Sequence, residues 1–225
     1  MLCAQEPPAF EVASVKPNTT GGPGATWRNR IGRTEFENYS LRQLIQMAYG
    51  VKDYSFAGPS WLDSVRFDVV AKPPAGAKAD QVPAMMQTLL AERFKLAVHR
   101  EEREMPGLAL VVDKKGPRIQ PAEPGPGGSG WGPNMVNAKK ITMTEFADTL
   151  SNALQRPVKN LTDLPGVYDI KIKWLPDGPL PADTSDMAAS VYAAVQDQLG
   201  LKLQVQKLPV QVLVVDHAER SPTEN

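Results

Sequence analysis

Residues 39–73, YSLRQLIQMAYGVKDYSFAGPSWLDSVRFDVVAKP, and residues 141–176, ITMTEFADTLSNALQRPVKNLTDLPGVYDIKIKWLP, decide how this chain is read. Each runs from a strand end through a capped helix and a Pro/Gly loop into an alternating strand. Ser40 with Gln43, and Thr142 with Glu145, have the spacing of a capping box, in which side chains and first-turn amides satisfy one another. Leu41, Leu44, Ile45 and Ala48 then recur at helical period, as do Met143, Phe146, Ala147, Leu150 and Leu154. Gly50 and Pro157 end the two helices.

Working outward, the two stretches prove to be parts of a longer duplication. The glycine-rich residues 21–27 match 125–131, each ending in Trp. Phe67-Asp68-Val69 matches Tyr168-Asp169-Ile170, and Phe94-Lys95-Leu96 matches Leu199-Gly200-Leu201 as a helix-to-strand junction. Leu110-Val111-Val112-Asp113 is identical to Leu213-Val214-Val215-Asp216. Several elements in the same order predict two repeated β-α-β-α-β-β halves, an α+β fold with helices packed on a mixed, largely antiparallel sheet. The halves are expected at 1–120 and 134–225. The segment PAEPGPGGSGWGP at 121–133, which lacks apolar periodicity, is read as the linker.

Finer expectations follow from local pattern. A strand is predicted over 10–15, and another over 31–38 with Ile31 and Phe36 as anchors. Asp80 is expected to cap a helix carrying Val82, Met85, Met86, Leu89 and Leu90. Residues 94–103 and 108–113 read as a hairpin turning at Met105-Pro106-Gly107, and Leu208-Pro209 as a second turn. Ser185 or Asp186 is expected to open the last helix, with Gly200 closing it.

Composition narrows the function classes. The 225 residues carry 25 acidic and 25 basic side chains, so the chain has no electrostatic footprint for nucleic acid. A single cysteine, Cys3, permits neither an internal disulfide nor a thiolate metal centre. No apolar run reaches the roughly 18–20 residues that span a bilayer. The opening Met1-Leu2-Cys3-Ala4-Gln5-Glu6 reads as the tail of a cleaved export signal, with Cys3 as a lipid-anchor or signal remnant, so an extracytoplasmic location is expected.

Four longer motifs carry a family resemblance: PAFEVASVKPN at 8–18, LLAERFKLAVHREEREMP at 89–106, RPVKNLTDLPGVYDIKIKWLPD at 156–177 and VLVVDHAERSPTEN at 212–225. They resemble a large family of uncharacterised proteins abundant in soil acidobacteria. The resemblance implies a secreted or periplasmic setting and a sensor or binding role. Some members carry this region after an antibiotic-sensor-type membrane metallopeptidase, whose HExxH motif is not found in this sequence. The repeated unit also resembles the small N-terminal modules of secretins and TonB receptors, at the level of fold.

Candidate sites come with competing readings. His99 and Glu101, two apart on a strand, share a face beside Arg100 and Arg103. They could form a metal or acid–base pair, or simply cross-strand ion pairs on a solvated surface. Asp68 and Asp169 occupy equivalent positions after Phe67 and Tyr168. They could converge as two carboxylates, or each could bond nearby backbone amides. Trp27 and Trp131, expected in loops, and Trp61 could present indoles to a ligand or could plug their own halves. The glycine loops lack phosphate-loop signatures, no serine lies in a nucleophile elbow, and no cofactor or metal is implied.

The leading expectation is therefore a non-enzymatic extracytoplasmic module. It would bind a small molecule, a cell-wall fragment or a protein through Trp27, Trp61, Trp131, Asp68, Tyr168, Asp169, His99 and Glu101. The alternatives are a carboxylate-dependent hydrolase with its site between the halves, and a self-associating envelope component.

Overall fold

A computed structural model describes residues 7–22, 24–123, 126–132, 135–174 and 184–224, with only the backbone described at 129–132 and 184–187. The export-signal reading of residues 1–6, parts of the linker and most of the proline loop before the last helix lie outside the described residues.

The elements are β1 (Val12–Pro17), β2 (Thr26–Arg30), β3 (Arg33–Ser40), α1 (Leu41–Tyr49), β4 (Phe56–Ala57), β5 (Arg66–Lys72), α2 (Val82–Phe94) and β6 (Ala97–Val112). They continue with β7 (Gly128–Gly132), β8 (Met135–Ile141), α3 (Met143–Leu154), β9 (Val158–Asn160), β10 (Tyr168–Lys173), α4 (Thr184–Leu199) and β11 (Leu201–His217). The fold is α+β, with helices on mixed, mostly antiparallel sheet, as the patterning predicts.

Two compact units form. One comprises Met1–Glu102 with Gln211–Asn225, and the other Arg103–Val210. The first contains an antiparallel sheet in the order β1-β5-β3-β2. Phe36, Phe67 and Val69 project from one face of that sheet and pack with Leu44 and Ile45 of α1 and Met86 and Phe94 of α2. The second contains the sheet β10-β8-β7. There Val136, Ala138, Ile170 and Ile172 pack with Phe146 and Leu150 of α3 and Val191 and Val195 of α4. Burying each such large side chain contributes about 1.5–3 kcal/mol, which is why the alternation in β5 and β10 is strict.

The long strands β6 and β11 each begin in one unit and end in the other. In the first unit the end of β11 pairs in parallel with β4, Leu213 opposite Phe56. In the second unit β6 pairs in parallel with β9, Leu108 opposite Val158.

Both helices that follow a sheet strand start from the same junction. Asn38 and Lys140 have positive φ, 60° and 57°, two residues before the helix cap. The pairing slips by one residue at each, between Phe36 and Tyr39 on β3 and between Tyr168 and Ile170 on β10. Such a bulge leaves one amide without a ladder partner. Asp68 Oδ1 accepts the Asn38 amide at 2.8 Å, and Asp169 Oδ1 accepts the Lys140 amide at 3.0 Å. Ser40 and Thr142 then close the expected capping boxes. Gly50 (φ 62°) ends α1, and Gly200 (φ 64°) follows α4, where a Cβ would collide with the Gly116 carbonyl.

Several local expectations are corrected. Ile31 is no anchor: it is fully exposed in the two-residue turn between β2 and β3, so the strand expected from residue 31 begins at Arg33, while Phe36 is buried as expected. Trp27 and Trp131 belong to the edge strands β2 and β7 rather than to loops. Asp80 does not cap α2; a 3-10 turn over Ala79–Gln81 precedes it, held by the Lys78 amide on Gln81 Oε1 at 2.8 Å. Met105-Pro106-Gly107 and Leu208-Pro209 do not turn, because β6 and β11 run straight through them. Neither proline lies where β4 or β9 pairs, so neither is asked for a donor on that side. A Cβ on Gly107 would stand 2.7 Å from Leu208 and 3.0 Å from the Pro157 carbonyl, so this glycine permits a close approach rather than a bend.

The junction predicts a graded response. Asp68→Ala strands the amide of Asn38 and should lower stability by about 1–3 kcal/mol in chemical denaturation. Asp68→Asn keeps an acceptor oxygen and should cost less than half of that. Equal losses would show that the bond to Asn38 is not what Asp68 contributes.

Candidate functional site

The first cluster is built on the paired strands of the first unit. His99, on β6, faces Asp216, on β11, with Nδ1 2.8 and 2.9 Å from the two carboxylate oxygens. Its Nε2 lies 3.7 Å from Glu101 Oε2. A carboxylate at Nδ1 places the proton there and leaves Nε2 as the basic nitrogen. The hydrogen bond to Asp216 raises the His99 pKa above its ordinary value; desolvation opposes it, and the charges of Asp216 and Glu101 add to the rise. All three side chains are about half exposed, so the pair is screened by water. Among the described residues no group of three or more His, Cys, Asp or Glu side chains could hold a metal ion. Asp216, the end of the second LVVD motif, went unnoticed as the partner of His99 because the two are 117 residues apart.

Asp68 and Asp169 belong to different units, and each gives an oxygen to its own junction. Asp68 Oδ1 also accepts from Asn18 Nδ2 at 2.8 Å. The Asn38 amide group in turn donates to the carbonyls of Gly22 and Gly24, at 2.7 and 2.8 Å, pinning the first glycine loop. Tyr168 is buried, and its hydroxyl donates to the Pro165 carbonyl at 2.8 Å.

Among the described tryptophan side chains, Trp27 is the most exposed. Its Nε1 donates to Thr34 Oγ1 at 3.1 Å, and Thr34 is completely buried. The indole lies parallel to Phe36 with ring centres 6.0 Å apart, and Phe36 meets Tyr39 edge-on. Half of Trp27 remains exposed. Trp61 is partly buried under the Arg220 guanidinium, 5.3 Å from its ring centre. The Trp131 backbone pairs with Val136, and its side chain lies outside the described residues. Trp174, the fourth tryptophan, is buried with no partner for Nε1 among the described residues.

A concavity of about 600 Å³ in the first unit lies beside the β2–β3 turn. It is lined by Asn29, Arg30, Ile31 and Gly32, by residues 72–79, and by Glu11 and Val82. Lys72 is engaged by Glu11 at 2.6 Å, whereas Arg30 has no acidic partner among the described residues. The groove thus combines an uncommitted guanidinium, the exposed Ile31 and a polar floor, a combination suited to an anionic ligand with an apolar part. No local motif signals it, because its walls come from four separated segments.

The His99 pair predicts a pH dependence with a definite sign. A histidine whose folded pKa is raised stabilises the protein fully below its unfolded value of 6.5 and loses that contribution as pH rises through the folded value. The stability gap between the wild-type chain and His99→Gln should therefore be widest in mild acid and shrink towards pH 8. Denaturation at several pH values reads it, and a gap that widens with pH would contradict the assignment.

No curated protein and no solved structure matches the chain. A family model does match, described as protein of unknown function (DUF3738), over residues 42–218. That span takes in α1 to β11, including both junction aspartates and the His99–Asp216 pair, and the chain belongs to this family.

Proposed function

We propose that the chain is a non-enzymatic, extracytoplasmic binding module, assembled from two related α+β halves, whose ligand site is the groove beside the β2–β3 turn. One observation carries the reading: Arg30 stands in a concavity of about 600 Å³ without an acidic partner among the described residues. An unpaired guanidinium in a groove binds carboxylate or phosphate in bidentate fashion at little reorganisation cost. Trp27, on the same strand and locked by Thr34 and Phe36, does not line this groove; it offers a separate rigid aromatic surface on the other face of the sheet. The binding role and the extracytoplasmic setting are both supported by the family resemblance of the four motifs.

A carboxylate mechanism gains no support from the two sequence candidates, since Asp68 and Asp169 are each engaged by a backbone amide of their own unit. The His99–Asp216 pair has the geometry to shuttle a proton, yet among the described residues no serine, cysteine or threonine bonds to its Nε2.

A thermal-shift screen of the wild-type chain against muropeptides, anionic oligosaccharides and short peptides tests the proposal. A carboxylate- or phosphate-bearing ligand should raise Tm, and Arg30→Gln should weaken its Kd about tenfold or more. A ligand recovered chemically altered, detected by mass spectrometry, would overturn the non-enzymatic reading. An unchanged Kd in Arg30→Gln would overturn the groove.

A further inference from the structure

The strand that carries Trp27 and Arg30 has one open side. In the order β1-β5-β3-β2 no strand pairs with the far edge of β2 among the described residues. Its hairpin register settles which backbone groups are free. Arg30 pairs with Arg33 across the two-residue turn Ile31-Gly32, and such a closing pair must be the doubly hydrogen-bonded kind. Alternation then directs the amide and carbonyl groups of Thr26, Arg28 and Arg30 towards β3. Those of Trp27 and Asn29 point away from the sheet. A short stretch of edge is thus presented with donors and acceptors in strand geometry, the arrangement that accepts an added strand.

The side chains around this edge select the occupant. Trp27 pairs with buried Phe36 and Asn29 with buried Thr34, so Trp27 and Asn29 lie on the helix-covered side of the sheet. Arg28 and Arg30 lie on the opposite, solvent side, where Arg33, Glu35 and Glu37 also project. Arg28 pairs with Glu37 at 2.8 Å, both exposed, so that ion pair is weak and easily exchanged, and Arg33 pairs with the partly buried Glu35. A second copy of β2 laid antiparallel on this edge would set arginine against arginine, which is unfavourable. An added strand with acidic residues two apart would instead meet Arg28 and Arg30, and its intervening apolar residues would cover the exposed half of Trp27.

We infer that β2 is a docking edge for an extended acidic peptide, bound as a fifth strand with carboxylates on Arg28 and Arg30 and an apolar residue on Trp27. The inference rests on the groove reading for the role of Arg30, but its backbone component is independent of that reading.

The test uses the full chain and the capped peptide TEVEYEVET, with TKVKYKVKT as its charge-reversed counterpart and a version of TEVEYEVET that is N-methylated at every second residue. The acidic peptide should bind and raise the hydrogen-exchange protection of the Trp27 and Asn29 amides. The lysine peptide and the N-methylated peptide should each bind at least tenfold more weakly. Asn29→Pro removes an outward donor while leaving the β2–β3 ladder intact, and should weaken binding at least tenfold. Should that variant fail to fold, the N-methylated peptide makes the same comparison on the wild-type chain.

Binding that is insensitive to N-methylation and gives no protection at Trp27 and Asn29 would overturn the added strand. If Arg30→Gln still weakened that binding, the groove reading would stand alone. Protection at both amides with no effect of Arg30→Gln would instead remove the groove and keep the edge. A concentration-dependent dimer abolished by Asn29→Pro would assign the edge to a second copy of the chain and overturn the peptide.

Discussion

A carboxylate oxygen held against a backbone amide is the constraint on which each unit depends. Asn38 and Lys140 must take up positive φ for the strand to turn into its helix within three residues, and a side-chain-bearing residue pays roughly 1–2 kcal/mol for that conformation. The Asp68 and Asp169 bonds offset the strain and satisfy the amide that the bulge frees. Without that bulge, Ser40 and Thr142 would not reach the cap positions, and the apolar stripes of α1 and α3 would face the wrong way. Core burial, helix start and strand register are therefore one coupled choice in each unit.

Much of this was legible because it is local. A capping box is four residues long, a helical stripe about ten, and the strict alternation of β5 and β10 needs no partner to be recognised. The carboxylate–amide reading of Asp68 and Asp169 could be weighed from sequence because aspartate beside a strand end commonly bonds nearby amides. Misreadings arose where local chemistry and tertiary position disagree. Pro106-Gly107 has the composition of a turn, yet β9 does not pair with β6 at Pro106, so no donor is needed on that side, and tight packing against Leu208 needs no side chain. Ile31 looks like an anchor by residue type, but the turn between Arg30 and Arg33 leaves it in water. The groove and the His99–Asp216 pair depend on residues brought together over long separations, which no window of sequence contains.

The first sheet also illustrates how one edge can be guarded and available at once. Arginines on the solvent face of β2 discourage self-pairing, a common device against edge-to-edge aggregation. The same charges define what remains admissible. Trp27 contributes on the other face, where its bond to the fully buried Thr34 ties an exposed ring to the core and so fixes its orientation before any partner arrives.

The passage of β6 and β11 from one unit into the other has a consequence for how the chain can fold. The first unit is complete only when Gln211–Asn225 is present, because Leu213 and Val215 belong to its core and β4 has its partner in β11. During synthesis that segment emerges about a hundred residues after Glu102, so the first unit cannot close in the order in which it is made. The open side of β4 and the part of the core that Leu213 and Val215 fill stay exposed until the second unit has been made. Pairings of such long sequence separation slow folding and lengthen the aggregation-prone interval. The two units are thus linked in time, because the end of β11, made after the second unit, completes the first.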